Sequence, residues 1–122
     1  MDYVSSRVVE SRKSPGVQFT VLKMSFGRRT ELMGRVRELA RRAEFLAAGQ
    51  SAAEKMDAAM ARAEIDRLYV SWGLQSVAGL KVDGVDATPD LLADTGPEEL
   101  FREAVDLIRR ETGLDEAERK NC

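Results

Sequence analysis

The chain has no histidine, and its only cysteine is the last of its 122 residues, Cys122. Without histidine, the commonest general base at neutral pH is missing. Zinc sites built on cysteine and histidine are excluded as well, along with any internal disulfide framework. Carboxylates are plentiful, yet no acidic loop has the spacing of a calcium loop. Gly79 and Gly84 stand alone and make no phosphate-binding signature. Nor does any apolar run approach the roughly 20 residues that a membrane helix requires. Met1 to Arg7 lacks the basic start and apolar stretch of a secretory signal. These absences lead us to expect a cytoplasmic, non-catalytic protein with no metal, no cofactor and no membrane contact.

What is present is an ordinary soluble balance, 43% apolar and 33% charged, in a chain long enough for one modest core. The charge is unevenly spread. Residues 1–48 carry ten basic and five acidic side chains, whereas residues 83–122 carry five basic and twelve acidic. Such polarity suits head-to-tail association of copies, steered by charge and weakened by salt. It equally suits two ends that neutralise each other within one fold.

Val8 to Glu10 and the alternating run Val17 to Leu22 flank a Pro15-Gly16 turn, which predicts an N-terminal β-hairpin. A lone hairpin is marginal in water, so it must lean on a helix or on another copy. Ser25 can cap a helix from about Phe26 to Ala48, stopped at Gly49. Leu32, Met33, Val36, Leu39, Ala40, Ala43, Leu46 and Ala47 fall on one side of it. Phe45 is the outlier, an aromatic ring on the charged side. Ser51 to Glu54 is a capping box for a second helix reaching about Ser71, with Gly73 beyond it. This helix has two apolar faces. Met56, Ala59, Met60 and Ala63 line one, and Ile65, Leu68, Tyr69 and Trp72 line nearly the opposite one. A helix of that kind sits between two layers, the second of which is either the rest of this chain or another molecule.

Downstream, Asp83-Gly84 marks a tight turn within Val77 to Val85. Thr88-Pro89 starts a short helix to about Ala93, and Thr95-Gly96-Pro97-Glu98 starts the last one, to about Thr112. Gly113 ends it, Leu114 could fold back on its apolar stripe, and Asp115 to Asn121 form a charged tail. The elements predict a mainly helical α+β protein of one domain, 1–122. It comprises a β-hairpin arm (1–24), a two-helix core (25–73) and a C-terminal subregion (74–122) holding a short extended pair and an acidic helix.

Few side-chain groups invite a sharper reading. The arginines of the first long helix could touch phosphates, but glutamates interleave with them, and i,i+4 pairing on a solvated face explains them more simply. Met24, Met33, Met56 and Met60 could form an adaptable binding surface, although methionines at helical spacing more often fill a core. Asp90, Asp94, Glu98, Glu99, Glu103 and Asp106 have no nucleophile or base beside them, and acids in a first helical turn follow from the helix dipole. Binding through surplus apolar surface remains. We expect it at Ile65, Leu68, Tyr69 and Trp72, joined by Phe45.

The stretch from Val77 through Gly96-Pro97-Glu98-Glu99-Leu100-Phe101 to Thr112-Gly113-Leu114 and Arg119-Lys120-Asn121 resembles the tail assembly chaperones of tailed bacteriophages and prophages. So do Pro15-Gly16-Val17 through Val21, Met24 to Arg29, Arg41 to Leu46, and a helix ending in Trp72-Gly73. The resemblance covers most of the chain and carries no chemically diagnostic motif. It implies a protein that binds the helical tape-measure protein in the host cytoplasm until the tail tube assembles around it. It further implies self-association, displacement by tail tube protein, absence from the mature virion, and a longer frameshifted product. A structural tail connector or completion protein retained in the virion is the alternative, and a small DNA-binding regulator a third.

Overall fold

A computed structural model describes residues 1–112. The predicted hairpin is there, as β1 (Ser6–Glu10) and β2 (Gln18–Leu22), paired antiparallel with Val9 opposite Phe19 and Val8 opposite Thr20. Its turn is held by the Ser11 hydroxyl, which accepts from the Lys13 and Ser14 amides at 3.1 and 3.0 Å. Alternation sends Phe19 and Val21 into the core, both fully buried.

The hairpin leans on a helix and also on a third strand. β3 (Leu74–Ala78) pairs antiparallel with β2, Phe19 opposite Val77, with a bulge at Thr20/Val21, giving the order β1-β2-β3. Local sequence signals mark no strand at Leu74 to Ser76. They follow directly on Gly73, the last residue of α2, and what makes them a strand is pairing with a segment more than fifty residues earlier. Leaving the strand, Gly79 adopts φ +79°, and a Cβ there would lie 2.0 Å from the Gly16 carbonyl oxygen. Only glycine fits that crossing of the two chain segments.

The helices follow their predicted caps closely. α1 (Phe26–Ala47) is capped by Ser25, whose hydroxyl accepts from the Arg28 amide. α2 (Ala52–Gly73) is capped by Ser51, which accepts from the Glu54 amide at 3.1 Å and donates to the Glu54 carboxylate at 2.8 Å. β4 (Lys81–Val82) and β5 (Val85–Asp86) flank Asp83-Gly84, both with positive φ as a tight hairpin turn demands. α3 (Pro89–Thr95) is capped by Thr88, and α4 (Glu98–Thr112) carries Glu98 and Glu99 in its first turn and Arg109 and Arg110 in its last. Gly113, Leu114 and the tail to Cys122 lie outside the described residues.

One core joins these parts. Leu100, Ala104, Val105 and Ile108 of α4 pack with Phe19 and Val21 of the sheet, Leu92 of α3, Leu32 of α1, and Ile65, Tyr69 and Val70 of α2. Contact between α2 and α4 is close at Gly73, where a Cβ would come within 2.3 Å of Ile108 Cγ2.

Candidate protein-interaction surface

Four of the five residues expected to face a partner are occupied inside the chain. Ile65 and Tyr69 are 7% and 5% exposed and belong to the core. Leu68 and Trp72 are half-buried and pack against it. Trp72 is also roofed by cations: the Arg28 guanidinium stands 4.3 Å from its ring centroid and that of Arg35 5.2 Å. Arg28 additionally donates to the Trp72 carbonyl at 3.2 Å. Arg109 lies 5.0 Å from the Tyr69 ring.

Ion pairs fix the same half of α2 in place. Asp66, one turn from Tyr69, accepts from Arg102 at 2.6 Å and from Arg109 at 3.2 Å, clamping α2 to α4. The hydrogen bond from Arg102 to Asp66, helped by that carboxylate's charge, holds the guanidinium above its ordinary pKa. Arg67 reaches Asp94 of α3 at 2.7 Å. The expected docking face is therefore the seam between α2 and the rest of the fold. Its side chains are the bulkier ones, and β3 begins one residue after the helix, which ties that half of α2 to the sheet.

Among the described residues the opposite face is the exposed one. Met56 is 67% exposed and Met60 63%, and Ala52, Ala53, Ala59 and Ala63 are exposed beside them. Met24 and Met33, by contrast, pack on the core. The exposed stripe lies on α2, whose principal helical neighbour among the described residues is α1. There the two helices meet through small side chains, with Ala43, Ala58 and Ala61 buried. Beside the stripe runs an open groove of about 440 Å³, lined by Met60, Ala61 and Ala63 with Arg42, Arg67, Asp57 and Glu64 around them. Apolar residues at Met56, Met60 and Ala63 repeat at i, i+4 and i+7, the spacing with which helices engage one another.

Phe45, on the charged side of α1, is 78% exposed. It sits two residues from the buried Ala43, about 200° around the helix, and so points away from α2. It is not brought together with the other four expected residues. Missing from the sequence reading was the inside-outside order of α2's two faces. The available signal was volume: one face holds isoleucine, leucine, tyrosine and tryptophan, the other two methionines and alanines.

No protein-family model, no curated protein and no solved structure matches this chain. Among the described residues no group of three or more acidic or cysteine side chains is arranged to hold a metal ion. No helix among them is long and apolar enough to cross a membrane. Several α1 arginines already have partners, Arg35 with Glu31 and Arg41 with Glu38. The basic and acidic ends of the chain also meet within the fold. Arg7 pairs with Glu111 at 3.2 Å, and Glu103 accepts from the Ser11 hydroxyl at 2.6 Å and the Arg12 amide at 2.8 Å.

Proposed function

We propose that the protein is a non-catalytic tail assembly chaperone that shields apolar helical segments of a tape-measure protein in the host cytoplasm. The observation that carries this reading is the exposed methionine-alanine stripe of α2 with its bordering groove. A thioether is flexible and polarizable, so Met56 and Met60 can fit differently shaped apolar ridges along a repetitive client. Alternating charges around the groove, Arg42 and Arg67 with Asp57 and Glu64, suit the polar flanks of an amphipathic helix. The sequence resemblance supplies the identity of that client, the self-association, and the release when tail tube protein arrives.

The reading is tested by co-expression with the tape-measure protein. Soluble co-purifying complex is the expected result, and a client that aggregates equally with and without this chain would refute it. Mass spectrometry of finished particles separates the connector alternative, because a chaperone is absent from them. A salt-dependent gel shift would favour the regulator instead.

A further inference from the structure

We infer that two copies of this chain pair through β1, edge to edge, to form one continuous six-stranded antiparallel sheet. Lys23 donates its amide to the Ser5 carbonyl at 2.8 Å, and Ser11 donates to the Val17 carbonyl at 2.8 Å. These bonds, with the register of the hairpin, assign the odd-numbered residues 5 to 11 to hydrogen-bonded pairs with β2. By the alternation of an antiparallel ladder, the N–H and C=O groups of Ser6, Val8 and Glu10 point to the open edge. The middle one of these three residues is apolar and 61% exposed, an uncommon choice at the centre of an unprotected edge strand.

A second copy fits this edge in one register. Across a twofold axis, residues on the same sheet face must meet, so even positions pair with even ones. Placing the axis at Val8 sets Val8 against the partner's Val8 and Ser6 against the partner's Glu10, and engages all five residues of the strand. A shift one way puts Arg7 against the partner's Arg7, a like-charge contact. A shift the other way sets Val8 against the partner's Glu10 and shortens the ladder within β1. In the central register the partner's Arg7 stands opposite Val9 rather than opposite another Arg7. The other edge is less suited. β3 is bulged against β2 and packs with α2 and α3.

The proposal does not depend on the identity of the client. It differs from charge-steered head-to-tail stacking, because a twofold interface closes at the dimer. Sedimentation equilibrium of the full chain should show reversible association from 13.5 kDa to twice that mass, with little dependence on salt. Val8→Pro removes no hydrogen bond from the chain's own ladder and should leave a folded monomer. Disulfide trapping in a Cys122→Ser background supplies a test that does not rely on that variant folding. Val8→Cys should cross-link readily, since the facing Cα atoms of a hydrogen-bonded pair stand about 5.5 Å apart. Glu10→Cys should not, since its copies lie about 14 Å apart along the strands. A chain that stays monomeric, a dimer that survives Val8→Pro, or cross-linking of Glu10→Cys as fast as Val8→Cys would each overturn the pairing.

Discussion

Replacing Ile65 by alanine separates the two faces of α2 by energy. The side chain is 7% exposed, within the cluster that joins α2 to the sheet and α4. Three carbons leave an apolar site, which at about 0.8 kcal/mol each is a loss of about 2.4 kcal/mol in transfer alone. The surrounding cluster includes the fully buried Phe19 and Ile108 and cannot collapse completely, so a cavity adds to it, toward a total of about 3 kcal/mol. For a domain of this size that lowers Tm by about 10 °C. Met60→Ala, on a side chain 63% exposed, should cost no more than about 0.5 kcal/mol. Urea unfolding followed by circular dichroism measures both. Equal costs, or a larger cost at Met60 than at Ile65, would refute the assignment of inner and outer faces.

Three further outcomes follow from the geometry. Asp66→Ala removes the acceptor shared by Arg102 and Arg109 and should cost about 1 kcal/mol, discounted because both guanidinium groups are half exposed, with the loss shrinking in high salt. Gly79→Ala forces a Cβ against the Gly16 carbonyl at positive φ and should destabilise by about 2 kcal/mol or more in thermal unfolding, whereas Gly34→Ala, with open space around it, should not. Ser51→Ala should cost about 1 kcal/mol through the lost cap and speed amide exchange mainly in the first turns of α2, where only alanines bury against α1.

The legible part of this fold was written in local signals. Ser25, Ser51 and Thr88-Pro89 each place a hydroxyl acceptor before a helical run, so those starts were readable to within a residue or two. Asp83-Gly84 needs only its own backbone to declare a turn. β3 was not legible, because Leu74 to Ala78 become a strand by pairing with β2 rather than by any turn or alternation of their own. The burial of Ile65 and Tyr69 likewise depends on elements distant in the chain. Periodicity found both apolar faces of α2; side-chain volume favours the face of Ile65, Leu68, Tyr69 and Trp72 as the inner one, and β3 and α4 cover it. Phe45 is exposed because its own helix places it on the charged side of α1.

Affinity for the proposed tape-measure client after changing the α2 stripe tests the central claim most directly. Met56→Gln with Met60→Gln keeps helix propensity and side-chain length while removing apolar surface. The double variant should retain the parent Tm yet bind client at least about 30-fold more weakly, roughly 2 kcal/mol of lost burial. Unchanged affinity in a fully folded double variant would contradict the account.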